Sequence, residues 1–169
     1  LRYDIRALPQ RPEPLDDRAV ALLRMAQPTF AAVVPHLEFP ATVGPLGETL
    51  TAVASAAADP GQYAAGLCDG RWLDDPDPWQ IVLPWSTAAS VPVGGVVPLR
   101  VQRPGPGGAA EHIDLPLRVV GIAASDTAAI PLPLAARVVR WQQGELQYDA
   151  GTCEFQPAAA GQRQDGFVR

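Results

Sequence analysis

The chain has 169 residues, 47% of them hydrophobic, and a formal net charge of −5 at pH 7. This length suffices for one domain or two small lobes with a real core, and the apolar content excludes a disordered chain. The negative charge argues against a nucleic-acid-binding protein, which needs a basic surface to neutralise phosphates. No stretch reaches the roughly 18 apolar residues of a membrane-spanning helix. The chain begins at Leu1 without an initiator methionine, so we expect a segment of a longer protein.

The first 40 residues predict a strand–helix–strand unit. Residues 1–8 alternate between apolar and charged side chains, which is typical of a half-buried strand. Leu15–Gln27 has an apolar stripe at helical spacing, and Phe30–Phe39 has strand character again. Such a unit is half of a ferredoxin-like split sandwich. Because two strands and a helix make too small a core, we expect a returning strand to complete this sheet, and Gly166–Arg169 to be its first residues, with an exposed edge.

The segment Gly44–Gly47 predicts a boundary, after which short elements follow one another. They are a strand at Leu50–Ala57, a short helix at Asp59–Leu67, a strand at Trp79–Leu83, a long hairpin at Val96–Ile122 and a small hairpin within Glu145–Phe155. The sequence therefore predicts an α+β fold with two lobes. Residues 1–46 plus 164–169 would form a terminal strand–helix–strand lobe, and residues 47–163 an inserted mixed α/β lobe that contains the long hairpin.

Residues 114–141 form the unit around which the chain is organised. Leu115–Ile122 is an apolar run interrupted only by Arg118, which predicts a strand buried on both faces. Ile130–Pro133 is an extended step, since residues before proline avoid the helical region. A helix then follows, with Gly144 as its left-handed stop and three apolar side chains on one face: Leu134, Val138 and Trp141.

The candidate reactive residues do not form a recognisable catalytic or metal motif. Ser86 lies in P-W-S-T-A and not in a G-x-S-x-G elbow, so a structural serine is the favoured interpretation. His36 and His112 have no histidine or cysteine at spacing i+2 or i+4, so we predict no catalytic metal and no Ser/His/acid triad. Cys68 and Cys153 match no metal or redox spacing. One disulfide in an oxidising compartment and two small buried residues both remain open for this pair.

Three further groups of residues are candidate binding sites. An acidic cluster could supply oxygen ligands to Ca²⁺, but it lacks the EF-hand pattern and favours a solvated turn: Asp69, Asp74, Asp75 and Asp77. The segment Gly105–Gly108 has no lysine and opens no helix, which argues against a phosphate loop. The tryptophans could form a binding platform, although filling of a core or interface is favoured: Trp72, Trp79, Trp85 and Trp141.

Several short motifs follow one another in a fixed order over about residues 64–140, and this order is similar to that of a known family. They are Gly70-Arg71-Trp72-Leu73, Ile81-Val82-Leu83 followed by Ser86-Thr87-Ala88, Gly95 before the strand Val96–Val101, Leu117-Arg118-Val119-Val120-Gly121-Ile122, and Ile130-Pro131-Leu132. This order resembles the extracytoplasmic (periplasmic core) domain of ABC-transporter permeases of the MacB and FtsX-like type. Each motif is short, and their order and spacing carry the resemblance.

The resemblance implies a non-enzymatic domain, without catalytic residues, cofactor or metal, in the periplasmic part of a permease of the cytoplasmic membrane. Its partners would be a cytoplasmic ABC ATPase, acting through the permease, and a periplasmic protein. The exposed strand edge expected of the terminal lobe would also invite pairing with a second copy of the chain. The domain would couple ATPase-driven motion of the membrane helices to substrate or to that periplasmic partner. Two alternatives stay open: a secreted or periplasmic hydrolase that uses Ser86 or the Asp69–Asp77 loop, and a carbohydrate- or lipid-binding module that uses the tryptophans.

Overall fold

The computed structural model describes residues 37–44, 48–55, 66–74, 77–87 and 91–159, together with Ala21 and Met25. The described part is α+β, with nine strands and one α-helix. The elements in chain order are β1 (Glu38–Val43), β2 (Glu48–Ser55), β3 (Leu67–Gly70), β4 (Gln80–Pro84), β5 (Val96–Pro104), β6 (Ala110–Ala123), β7 (Thr127–Pro131), α1 (Leu132–Gln142), β8 (Leu146–Asp149) and β9 (Glu154–Pro157). A 3₁₀ turn, Pro106–Gly108, lies between β5 and β6. Among these residues no helix is long and apolar enough to cross a membrane.

Seven strands form one mixed sheet, and six of them close into a ring. The hydrogen-bonded order runs β6, β4, β7, β2, β1, β5 and back to β6, while β3 is added to β6 beside the ring. Two of the pairings, β2 with β7 and β4 with β6, are parallel, and the others are antiparallel. Strands β8 and β9 form a separate two-stranded sheet. The ring gives the domain one main hydrophobic core.

The predicted long hairpin is confirmed as β5 and β6. Its register runs without interruption from Val96 opposite Arg118 to Pro104 opposite Ala110. The prediction that the second strand is buried on both faces was wrong for its first half. Side chains of β6 alternate between buried and exposed up to Arg118, and both faces are buried only from Val119 onward. The change falls where β4 joins β6, because β4 brings in the segment that covers the outer face.

The predicted helix and its stop are also confirmed. Helix α1 buries one apolar face, made by Leu134, Ala135, Val138 and Trp141. Gly144 follows at φ +78°, a left-handed conformation that glycine adopts without steric cost. The buried face packs into the main core beside residues from the inner faces of the ring. Because α1 follows β7 directly, its N-terminal end is fixed to the middle of the sheet.

The N-terminal part of the sheet differs from its predicted limits. The predicted strand Phe30–Phe39 ends at Pro40, whereas β1 runs through this proline, with Phe39, Ala41 and Val43 buried and Pro40 exposed. Alternation of buried and exposed side chains continues across the proline. Because β1 pairs with β2 and β5, it belongs to the large sheet.

Chain contacts divide the protein into Leu1–Pro35 and His36–Arg169, earlier than the predicted boundary at Gly44–Gly47. Within the first unit, Ala21 and Met25 are helical and exposed, and both lie off the apolar stripe of the predicted helix. Most of the predicted terminal lobe, residues 1–46 plus 164–169, lies outside the described residues, and that lobe stays a prediction. Most of the predicted helix Asp59–Leu67 also lies outside them, and Leu67 itself is in β3.

Candidate functional site

Two of the family-like motifs meet at a backbone contact between two glycines. Gly70 of β3 lies opposite Gly121 of β6. A Cβ atom on Gly70 would lie 2.3 Å from the carbonyl oxygen of Val120, and one on Gly121 would lie 2.2 Å from the carbonyl oxygen of Arg71. The Arg71 N–H donates to the Val120 carbonyl over 2.8 Å. The strands approach this closely only because neither position carries a side chain.

The buried side chain of Gln80 holds the segment that follows this contact. Gln80 begins β4 and is 0% exposed. Its Oε1 accepts hydrogen bonds from Arg71 Nη1 over 3.1 Å and from the Asp74 N–H over 3.5 Å. Its Nε2 donates to the carbonyl oxygens of Asp74 and, over 2.6 Å, of Asp77. Both ends of the amide are therefore satisfied, and residues 71–74 and 77–79 are bound to the sheet through one side chain.

Two ion pairs stabilise the same segment from its surface. Arg71 Nη1 lies 2.8 Å from Asp74 Oδ1, and Arg118 Nη2 lies 2.6 Å from Asp77 Oδ2. Asp77 Oδ1 also accepts a hydrogen bond from the Trp79 N–H over 2.9 Å. Hydrogen bonding from the Gln80 side chain, followed by that from Arg71, lowers the pKa of the Asp74 carboxyl. The two carboxylates are thus engaged by arginines of the same chain.

The rest of the G-R-W-L motif covers the outer face of the sheet. Leu73 is 4% exposed and belongs to a second, smaller core, against which the half-buried Trp72 packs. The other buried members of this core come from the strands below: Val82, Val120 and Ala123. Gly70–Leu73 therefore acts as a structural element that closes the sheet where β3, β4 and β6 meet.

A shallow cleft of about 360 Å³ lies beside the glycine contact. Three valines, two glycines and two arginines line it: Gly70, Arg71, Val93, Gly94, Arg118, Val119 and Val120. None of these described residues has a carboxylate, imidazole or hydroxyl group that could serve in acid–base or nucleophilic chemistry. Each of the two arginines already pairs with an aspartate. The described lining therefore combines apolar side chains with the hydrogen-bond donors of two arginines.

The structure places the candidate acidic ligands in separate local contacts. Asp69 accepts a hydrogen bond from the N–H of Gly70 over 2.7 Å, and Asp75 lies outside the described residues. Among the described residues no three histidine, cysteine, aspartate or glutamate side chains are grouped so that they could hold a metal ion.

The reactive candidates are dispersed over the described surface. Ser86 is exposed in the turn after β4, and His112 is exposed on β6, where it lies opposite Gln102. No hydrogen bond of the described residues joins Ser86 to a histidine, and His36 lies outside these residues. Both cysteines are free: Cys68 is exposed on β3, and Cys153 is half-buried at the β8–β9 turn.

The tryptophans are divided between core and surface. Trp141 is 1% exposed in the main core, and the half-buried Trp79 packs against that core. Trp85 is 65% exposed in the turn after β4. The described tryptophans therefore do not form one aromatic platform. Among these tryptophans, only Trp85 is mostly exposed to solvent.

The sequence interpretation missed Gln80 and Arg118 as residues that organise this region. The signal for Gln80 was available, because one polar residue precedes an otherwise apolar strand that is buried along its whole length. A buried glutamine needs hydrogen-bond partners, and a polar, proline-rich loop directly before the strand can supply them. Arg118 gave no such signal, since its partner Asp77 is 41 residues away.

The described residues define the class of the domain: an α+β domain with a closed mixed sheet, one packed helix and no assembled reactive centre among them. Among solved structures, the chain is similar to the extracellular domain of the noncanonic ABC-type transporter YknZ from Gram-positive bacteria, with a TM-score of 0.54 and 15% sequence identity over 90% of this chain and 78% of that chain. The predicted resemblance to an extracytoplasmic domain of an ABC transporter is thus confirmed at the level of the fold. No protein-family model and no curated protein matches the chain.

Proposed function

We propose that the chain is a non-catalytic extracytoplasmic domain of an ABC-transporter permease of the MacB and FtsX-like type. In this role it couples ATPase-driven motion of the membrane helices to a substrate or to an extracytoplasmic partner protein. The observation that carries the proposal is the likeness in fold to the extracellular domain of YknZ. The motifs that led to the resemblance support it, because G-R-W-L and V-V-G-I meet at the contact between Gly70 and Gly121.

The packing of the domain suits a mechanical role. Residues 71–74 and 77–79 are bound to β4 by the buried Gln80 and to β6 by the pair between Arg118 and Asp77. The strand ring and α1 share one continuous core. A close-packed interior of this kind transmits displacement with little deformation. A force applied to one end of the ring would therefore reach the other end without a reactive group taking part.

The first test is the gene sequence on both sides of the chain. A permease domain of this type lies between membrane helices, so an apolar span of about 20 residues should occur on each side. Absence of such a span on both sides contradicts the proposal.

The second test measures the coupling itself in the full transporter. Cys68 is exposed, so it can carry a spin label in a Cys153→Ser background. We expect the distance between this label and a second label on the cytoplasmic side of the permease to change when nucleotide is trapped, and to return with ADP. If the membrane helices respond to trapped nucleotide while this distance stays constant, the coupling role is wrong.

A further inference from the structure

The far half of the long hairpin extends beyond the strand ring. Pairing of β1 with β5 involves only Leu99 and Arg100 of β5, and β4 joins β6 from Arg118 onward. We call residues 101–113 the distal hairpin. Within the described part of the chain, its two strands have only each other as sheet partners. An isolated two-stranded ribbon is marginally stable in water, so its position depends on what packs against it.

Arg103 joins the distal hairpin to the C-terminal end of α1. Its Nη1 donates to the Trp141 carbonyl oxygen over 2.6 Å, and its guanidinium carbon lies 4.5 Å from the centroid of the Trp141 ring. Its Nε lies 2.8 Å from Glu111 Oε2, directly across the hairpin. The side chain of Arg103 is only 17% exposed. A cation at a helix C-terminus also meets the negative end of the helix dipole.

A neighbouring contact ties the same two elements. Gln142 Nε2 donates to the Gln102 carbonyl oxygen over 3.0 Å, next to the Arg103 contact. Because α1 begins directly after β7, a strand of the ring, the helix connects the ring to the distal hairpin. Val101 and Ile113, where the distal hairpin begins, are buried in the main core at 0% and 8% exposure.

We infer that Arg103 is a latch that couples the distal hairpin to the strand ring through α1, so that the hairpin can open locally when the latch is removed. One planar guanidinium makes three contacts to two elements, which a lysine or an apolar side chain cannot reproduce. Its loss removes a partly buried, charge-assisted link but leaves the ring's own strand pairs and core intact. This inference is independent of the proposed transport function.

Native-state amide hydrogen exchange of the full 169-residue chain tests the latch. Pro98 lies opposite Pro116, and this pair is non-hydrogen-bonded because neither proline has an N–H. Hydrogen-bonded and non-hydrogen-bonded pairs alternate along an antiparallel ladder, so the pairs 101/113 and 103/111 are hydrogen-bonded. The amides at these four positions report opening of the distal hairpin, and those of β4 report opening of the ring. Arg103→Met should raise exchange at the hairpin positions by about tenfold or more, with β4 amides unchanged.

Arg100→Met is the matched control. Arg100 also lies on β5 and pairs across the hairpin, with Asp114, but no bond joins it to α1. Its substitution should leave exchange of the distal hairpin within about twofold of the wild type. Three results would each overturn the inference. In Arg103→Met, the exchange rates of the β4 amides could rise as much as those of the distal hairpin, or the rates of the distal hairpin could stay unchanged. In Arg100→Met, the rates of the distal hairpin could rise as much as in Arg103→Met. If Arg103→Met does not fold, Arg103→Lys should give a smaller rise at the same positions, and no rise there would also overturn it.

Discussion

Gly70 and Gly121 lie opposite each other so closely that each excludes a side chain from the other's strand: their Cβ atoms would lie 2.3 Å and 2.2 Å from carbonyl oxygens of Val120 and Arg71. Backbone atoms cannot move away as the end of a flexible side chain can. Substitution to alanine at either position should therefore destabilise the domain by about 2–4 kcal/mol. Urea unfolding monitored by circular dichroism measures this.

Gly107→Ala is the control for this glycine pair. Gly107 has φ +73°, close to the +72° of Gly70, but a Cβ there meets no atom within 4 Å. Its substitution should cost only the left-handed strain, about 1 kcal/mol. Equal losses of stability for Gly70→Ala and Gly107→Ala would show that the close contact contributes nothing beyond backbone conformation.

Gln80→Leu should destabilise the domain because the buried amide binds the loop before β4. Leucine matches the apolar surroundings but leaves the carbonyl oxygens of Asp74 and Asp77 without this donor. We expect a loss of about 2–3 kcal/mol in the free energy of unfolding. Gln142→Leu, which removes a solvent-exposed hydrogen bond from a half-buried glutamine to a carbonyl, should cost less than about 1 kcal/mol. Equal costs for the two variants would contradict this role of Gln80.

Acid stability should depend weakly on Asp114. A hydrogen bond from Arg100 lowers the pKa of Asp114 below its usual value of 3.8. Because the folded-state pKa is depressed, the pair stabilises the fold above pH 3.8, and this contribution is lost as pH falls through the folded-state value. The two side chains are 45% and 42% exposed, so the contribution should stay under about 1 kcal/mol. In Asp114→Asn, the free energy of unfolding, measured by urea unfolding, should lose this part of its pH dependence below pH 5. A pH dependence equal to that of the wild type would contradict the prediction.

Tyr148 should titrate at unusually high pH. Burial, and then a hydrogen bond with Cys153, raise the pKa of the Tyr148 phenol above its usual value of 10.0. The folded state therefore favours the neutral phenol, and this contribution to stability is lost as pH rises above 10.0. In a titration followed by tyrosinate absorbance, Tyr148→Phe should remove the part of the rise at highest pH. If Tyr148→Phe instead removes a part of the absorbance rise near pH 10, Tyr148 titrates as an ordinary phenol and the prediction is wrong.

The long hairpin and α1 could be predicted because their signals are local. Leu134, Val138 and Trp141 share a helical face, and the strands on either side of Pro104–Ala110 alternate in register. Closure of the ring could not be predicted, since it depends on β1 meeting β5 through two residue pairs more than 50 positions apart in sequence.

The candidate site was only partly readable from the sequence. The motif order located Gly70–Leu73 and Gly121, but the pairing of β3 with β6 is non-local, so the contact between the two glycines left no periodic pattern. The exposure of Trp85 and the burial of Trp141 differ for the same reason, because burial depends on the elements that pack nearby. A residue type by itself does not tell the two apart.

The location of Cys68 tests the central claim most directly, because this thiol is exposed and lies on the edge of the candidate site. Protoplasts or spheroplasts that make the full-length protein are treated with a membrane-impermeant maleimide. Their membranes are then washed at high pH to remove proteins that are not anchored in the membrane. If the chain is an extracytoplasmic permease domain, Cys68 should be labelled as fully in intact cells as in lysed ones, and the labelled protein should stay with the washed membrane. In a Cys153→Ser background, Cys68→Ser should abolish this labelling. Labelling only after lysis, or labelled protein released from the membrane by the wash, would contradict the claim.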